Sequence, residues 1–154
     1  MQQHVLYVRG EEKNGVGDKV VPTLLQPEVS LCLNVDARVL SYLQNERVTQ
    51  QILLKNKEPY FLYALFLHCP HYAPYSDLVA IVCDPAGYIR LHTASGKSTC
   101  RSIFPQADMK GELAEVRRGM SELRAKLATF DLGVKHVTDT GYLLVTMQRA
   151  AVVA

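Results

Sequence analysis

Apolar residues recur most regularly between residues 108 and 130, where they follow one another in steps of four and three. This spacing places them along one side of an α-helix. Asp108 is a suitable N-cap, and residues 131–133 (DLG) provide a stop. The sequence therefore predicts one long helix over residues 108–130. Its apolar residues, which we call the heptad stripe, are Met109, Leu113, Val116, Met120, Leu123, Leu127 and Phe130.

The heptad stripe is narrower than the face that a helix usually buries against a sheet. Gly111 and Gly119 each cost the helix about 1 kcal/mol relative to alanine, so it needs a packing partner. Because the chain has no second heptad segment, we predict that the stripe mediates self-association, with a dimer favoured. Packing of the same residues against the chain's own sheet is the alternative.

Outside this helix, the pattern favours short strands joined by turns. Alternation of apolar and polar residues predicts strands over residues 4–9 and 28–35. Residues 134–137 and 142–147 flank a turn and predict a closing hairpin. Residues 37–43 have helical spacing over a short length, and we interpret them as a helical turn.

Two almost continuous apolar runs, residues 60–68 and 77–83, predict buried strands. We expect the first run to pair with residues 48–55 in an antiparallel hairpin at the centre of the core. Turn residues at 84–87 (DPAG) lead from the second run to residues 88–92, which predicts another hairpin.

The predicted order is strands, a long helix and a final hairpin, which indicates an α+β fold with a mainly antiparallel sheet or a β-sandwich. The chain has 154 residues, a length that predicts one domain over residues 1–154. Polar residues and three glycines between residues 10 and 19 predict a flexible loop.

Composition narrows the function classes. Hydrophobic residues make up 48% and charged residues 21%, as in folded globular proteins. Seventeen basic and fifteen acidic residues leave a charge of +2, which argues against nucleic-acid binding by phosphate neutralisation. The longest apolar run, residues 60–67, has about half the length of a membrane-spanning helix, so we expect no membrane insertion.

The first fifteen residues lack the pattern of a secretory signal. The four cysteines, Cys32, Cys69, Cys83 and Cys100, contain no C-x-x-C pair. We therefore expect a cytoplasmic protein with reduced cysteines.

Three short motifs are similar to phosphate sites, and each lacks part of the pattern. Residues 95–99 (SGKST) end like a phosphate-binding loop, but Leu91 stands where that loop needs glycine. Residues 92–93 (HT) and 136–138 (HVT) are similar to the paired motifs of phosphoesterases that act on 2′,3′-phosphates, but only the second has the usual spacing. We predict no catalytic residue from them.

Residues 68–71 (HCPH), with Cys83 and Cys100, contain the ligand types that zinc binds. Their spacing matches no zinc knuckle or ribbon, and cysteines within strands pack as small hydrophobic residues. We predict no metal site and no cofactor. A cysteine nucleophile assisted by a histidine would need a geometry that spacing does not define.

Aromatic residues concentrate in and after the run 60–68. The rings within the run belong to the predicted core, because the run has no polar face. Tyr72 and Tyr75 follow in a loop with two prolines, which is typical of an ordered surface loop. We predict that these two tyrosines contact another protein.

Residues 53–56 (LLKN), 60–70 and 84–89 (DPAGYI) are similar to successive segments of one domain family. Through them, residues 28–93 resemble the immunoglobulin-like domain of major sperm proteins and their PapD-like relatives. The resemblance implies a seven-stranded sandwich and a role in assembly or tethering. Residues 62–67 (LYALFL) replace the basic strand by which many members bind acidic peptides, so no peptide site is implied.

Together these patterns favour a non-enzymatic module that forms homo-oligomers and binds other proteins. The heptad stripe is the feature on which this prediction depends. The alternatives are a small hydrolase or nucleotide-processing enzyme with a histidine and cysteine site, and a viral accessory or structural protein.

Overall fold

The computed structural model describes residues 4–11, 19–21, 24–94 and 110–146. Five strands form one sheet in the order β2-β1-β3-β4-β5, and three form a second in the order β6-β8-β7. Only the β1–β2 pairing is parallel. The predicted α+β class with mainly antiparallel sheet is confirmed, with four helices instead of one. The elements are β1 (Val5–Arg9), β2 (Lys19–Val20), β3 (Val29–Asn34), β4 (Val39–Gln44), β5 (Arg47–Leu53), α1 (Glu58–His68), β6 (Ala73–Pro74), α2 (Tyr75–Cys83), α3 (Pro85–Ala94), α4 (Lys110–Leu127), β7 (Leu132–Val137) and β8 (Gly141–Thr146).

The strand prediction for residues 60–68 is wrong, because these residues form α1. Helix α1 lies among β3 of the first sheet, β6 and β8 of the second sheet, and helices α2 and α4. Residues 61–66 are therefore at most 5% exposed. A helix that is buried on all sides shows a continuous apolar run, which periodicity does not distinguish from a buried strand. Pro59 in its first turn and Pro70 after its end are the signals of a helix here.

The two strands predicted over residues 77–83 and 88–92 are also helices, α2 and α3. The backbone N–H of Gly87 donates to Oδ1 of Asp84 at 3.1 Å, so Asp84 caps α3. Pro85 is the first residue of that helix, a position where proline is favoured. The segment 84–87 is thus a helix start and not a hairpin turn.

The helical turn predicted over residues 37–43 is wrong as well. Residues 39–44 form β4, which pairs with β5 through a two-residue turn. Asn45 and Glu46 in that turn have φ values of 52° and 66°, as a type I′ turn requires. Strand β5 therefore pairs with β4 and not with residues 60–68.

The other predicted elements are confirmed: β1, β3, the long helix α4 and the hairpin of β7 and β8. A 3₁₀ turn, Ala128–Phe130, follows α4, and Asp131 then adopts a left-handed conformation with a φ of 59°. Asp108, residues 12–18 of the predicted flexible loop and the tail after residue 146 lie outside the described residues. No helix within the described ranges is long and apolar enough to cross a membrane.

Both sheets and helix α4 contribute to one hydrophobic core. Helix α4 packs against α1, α2 and β7, and almost all buried apolar residues of both sheets belong to one cluster. The hydroxyl of Thr146 in β8 donates to the backbone carbonyl of Leu24 at 3.0 Å. The carboxyl-terminal hairpin is therefore joined to the segment that precedes β3.

Candidate functional site

The heptad stripe is covered by the chain itself. Four of its residues, Val116, Met120, Leu123 and Leu127, are at most 1% exposed, and Phe130 is 6% exposed. Leu113 is half-buried, and Met109 lies outside the described residues. Helices α1 and α2 and strand β7 pack against α4. Most of the stripe is therefore covered within one chain, by α1 and α2 as well as by a strand of the sheet that the alternative named, and a second copy is not needed to cover it.

A buried carboxylate connects three of the helices. Asp77 in α2 is 4% exposed, and its Oδ2 accepts a hydrogen bond from the hydroxyl of Tyr88 in α3 at 2.7 Å. His68 at the end of α1 places Nε2 at 2.7 Å from the same oxygen. Because a buried carboxylate is costly without hydrogen bonds, this pairing orients α1, α2 and α3 relative to one another. His68 is thus the member of the predicted histidine and cysteine site that is paired with a buried carboxylate.

The two tyrosines predicted to contact another protein have different environments. Tyr72 is 43% exposed. Tyr75 is half-buried, and its hydroxyl is hydrogen-bonded to Nε2 of His136. Its ring also lies 6.0 Å from that of Tyr142, edge to face, and burial is the main cause that raises the pKa of Tyr142. His136 of the HVT motif is therefore part of an aromatic cluster that packs β7 and β8 against α2.

The other predicted chemistry is not brought together. Cys32, Cys69 and Cys83 are free thiols, and burial raises the pKa of the Cys69 thiol. Within the described ranges, no three histidine, cysteine or acidic side chains are grouped so that they could hold a metal. The segment 95–99, Cys100 and the side chains of residues 92–93 lie outside what the structure describes.

One face of the five-stranded sheet points away from the core. The register aligns its side chains in three rows across β1, β3, β4 and β5, and Val20 of β2 lies beside Arg9 at the edge. We call this surface the open sheet face. Its rows are Val5, Asn34, Val39 and Leu53; Tyr7, Cys32, Ser41 and Gln51; and Arg9, Ser30, Leu43 and Val48.

The open sheet face carries five of the seven large hydrophobic side chains that are exposed among the described residues. Their exposed fractions are 40% for Val5, 40% for Tyr7, 37% for Val20, 55% for Val48 and 73% for Leu53. Strand β5 is also an edge strand, because only β4 pairs with it in the described sheet. Exposed apolar side chains that concentrate on one face in this way are typical of interaction sites.

Polar contacts on the open sheet face are mostly made within the face. Gln51 donates to the hydroxyl of Ser41 at 2.9 Å. Burial raises the pKa of the Cys32 thiol, and a hydrogen bond with Tyr7 opposes that shift. Arg9 is the one charged residue of the three rows, and its guanidinium lies 2.9 Å from the carboxylate of Glu46. The face is therefore apolar and close to neutral.

A second surface feature is a cleft of about 450 Å³ beside the first turn of α1. We call it the Glu58 cleft. It lies between α1, α4, the turn before β4 and the start of α3, and Tyr60 and Phe61 supply aromatic surface. Its charged lining has three residues of each sign: Arg38, Lys57, Arg118, Glu58, Glu115 and Glu122.

Glu58 is the buried member of this lining, at 2% exposure. Its Oε1 accepts a hydrogen bond from Nζ of Lys126 at 2.5 Å and another from the backbone N–H of Lys55 at 2.8 Å. Its Oε2 is buried and has no hydrogen-bond partner among the described residues. At the cleft, Lys57 and Glu115 form a separate ion pair at 2.6 Å.

Comparison of the chain with protein-family models, with curated proteins and with solved structures finds no match. The resemblance to major sperm protein domains therefore stays a prediction. The strand that it implies over residues 60–70 is helix α1 in the structure.

Sequence reasoning missed both surface features. Strands β1 and β4 carry apolar residues on both faces, so their sequences do not show which side is exposed, and β4 was interpreted as a helical turn. The Glu58 cleft combines segments near residues 38, 58, 85 and 118, which are distant in sequence and share no motif. No sequence signal could have assembled it without the fold.

Proposed function

We propose that this protein is a non-enzymatic assembly module that self-associates through the open sheet face. The observation that carries the proposal is the concentration of exposed apolar side chains on this one face. The prediction of a homo-oligomer is retained, but the surface assigned to it changes from the heptad stripe to the sheet.

A second copy of the chain is the partner that the chemistry of the face favours. Two identical faces bring apolar rows against apolar rows, and the only charge in those rows is already paired with Glu46. No like charges are forced together, whereas a strongly acidic or basic partner would gain no ion pairs from such a surface. Packing of two sheets face to face is also the arrangement that forms the core of β-sandwiches.

The size of the face indicates a weak dimer. Four main strands of about six residues, with spacings of about 4.8 Å between strands and 3.3 Å between residues, cover roughly 400 Å² in projection. Two copies would bury an area near the low end of specific interfaces. We therefore expect a dimer that forms in the micromolar range and dissociates on dilution.

The test is the molar mass by light scattering over a range of protein concentrations. The wild-type mass should rise from one chain toward two. The double variant Val48→Lys/Leu53→Lys places two charges on exposed positions of β5 and should remain a monomer. The matched control is Leu91→Lys on α3, which is 53% exposed and lies outside the face.

The control variant should dimerise like the wild type. A wild-type mass of one chain at every concentration, or a double variant that dimerises as well as the control, would overturn the proposal. Circular dichroism of each variant checks that the charges have not unfolded the sheet.

A further inference from the structure

We propose that the Glu58 cleft binds a small molecule that carries both an amino group and an anionic group, with the amino group directed to Glu58 and a phosphate or carboxylate held by Arg38 and Arg118. This site is separate from the self-association proposed above and uses none of the residues of the open sheet face.

The first reason is the state of Glu58. Burial removes its carboxylate from water, and Lys126 and the Lys55 amide satisfy only one of the two oxygens. A buried acceptor that lacks a donor costs about 1–3 kcal/mol, and more when the group is charged. Because Glu58 also lines the cleft, an N–H donor of a bound molecule would satisfy Oε2.

The second reason is the arrangement of the cations. Lys57 is paired with Glu115, but no carboxylate of the described residues lies within ion-pair distance of Arg38 or Arg118. Both arginines line the same cleft as Glu58. Guanidinium groups form strong, paired hydrogen bonds with phosphates and carboxylates. The cleft therefore presents an acceptor for a cation and donors for an anion.

The third reason is size and shape. A volume of about 450 Å³ lies within the range of small-molecule sites and is large enough for a mononucleotide. Tyr60, which is half-buried, offers aromatic surface to a planar ring. A free amino acid also combines an amino group with an anion, but its amino group is protonated and it would fill only part of the volume, so the two sources are separated by experiment.

Isothermal titration with adenosine monophosphate, adenosine and lysine tests the proposal on the full chain. Adenosine monophosphate carries the amino group and the anion, adenosine lacks the anion, and lysine represents amino-acid zwitterions. We expect adenosine monophosphate or lysine to bind and adenosine to bind at least about tenfold more weakly, the loss expected for one charge-assisted contact.

The variant Arg118→Gln should weaken binding by at least about tenfold. The matched control is Arg117→Gln, which changes the neighbouring exposed arginine of α4 outside the cleft and should bind like the wild type. Glu58→Gln should abolish binding of the amino group. Its fold is checked by circular dichroism, and Arg118→Gln carries the test if Glu58→Gln does not fold.

Three outcomes would overturn the proposal. They are the absence of binding by both adenosine monophosphate and lysine, equal binding of adenosine and adenosine monophosphate, and equal affinity of the Arg118→Gln and Arg117→Gln variants. Binding of lysine alone, lost in Arg118→Gln, would support the site and identify an amino-acid ligand.

Discussion

Gly119 of α4 lies directly against the ring of Phe61 in α1. A Cβ atom at position 119 would be 2.5 Å from Cε2 and 2.9 Å from Cδ2 of that ring. Phe61 is 1% exposed, and its ring is packed in the hydrophobic core. Gly119, which weakens the helix by its own propensity, is therefore what allows α1 and α4 to approach each other.

The first prediction compares the two glycines of α4. Gly119→Ala should lower the free energy of unfolding by about 1–3 kcal/mol, because the methyl group overlaps the Phe61 ring. Gly111→Ala should raise it by up to about 1 kcal/mol, because no atom lies within 4 Å of the new methyl group and alanine favours the helix. Urea unfolding of both variants measures the difference. Equal effects of the same sign would contradict the packing of α1 against α4.

The second prediction concerns the heptad stripe. Leu123 is fully buried within one chain, so Leu123→Ala should cost about 2–5 kcal/mol of stability. The loss should be the same at low and high protein concentration, because the residues that cover Leu123 belong to the same molecule. Urea unfolding at two concentrations gives this comparison, and Ser121→Ala on the exposed side of α4 is the control. A loss of stability that changes with protein concentration would instead indicate that the stripe packs against a second copy.

The third prediction tests the buried carboxylate of Asp77. Tyr88→Phe removes one donor and should cost about 1.5–3 kcal/mol, the value of a hydrogen bond to a charged group. Asp77→Ala should cost more, because it also deprives His68 of its partner. In a double-mutant cycle, the two losses should be less than additive. Additive losses would show that Tyr88 and Asp77 act independently.

The fourth prediction concerns alkaline pH. Burial raises the pKa of Tyr63, so its phenol ionises at a higher pH in the folded chain than in the unfolded chain. The unfolded state then binds fewer protons, and the free energy of unfolding falls with rising pH. The stability is complete below the ordinary tyrosine pKa of about 10 and decreases as pH rises through the folded pKa.

Tyr63→Phe should make this alkaline decrease less steep without removing it, since the pKa values of Tyr42 and Tyr142 are also raised. Urea midpoints measured from neutral pH to about 11 provide the comparison. A slope identical to that of the wild type would contradict the assigned effect of Tyr63.

The sequence predicted the fold where two independent signals agreed. Helix α4 combines a sustained period with a stop at Asp131, and the closing hairpin combines two strand patterns with a turn. Helices α1 and α2 were interpreted as strands because their apolar runs show no polar face, and α3 because residues 84–87 were interpreted as a hairpin turn. For α3, the capping aspartate followed by proline at 84–85 was sufficient to indicate a helix.

The candidate sites were less predictable than the fold. The heptad stripe was identified as a set of residues, but its narrow width did not show that three elements of the same chain cover it. The open sheet face depends on which sides of β1 and β4 lie beside the polar side of β3, and that follows only from their pairing. Oε2 of Glu58 lacks a hydrogen-bond partner in the described part of the chain because the side chain is buried. The sequence alone does not show that this charged residue is buried.

The hydrogen bond from Thr146 to Leu24 joins two residues that are far apart in sequence and are therefore synthesised at different times. Strand β7 packs against α4, and β8 packs against α1. The growing chain therefore lacks one side of its core until residue 146 has left the ribosome. Native packing can therefore finish only after translation of the whole described region. Products that stop before the last hairpin would expose that unfinished side and be degraded instead of persisting as smaller working forms.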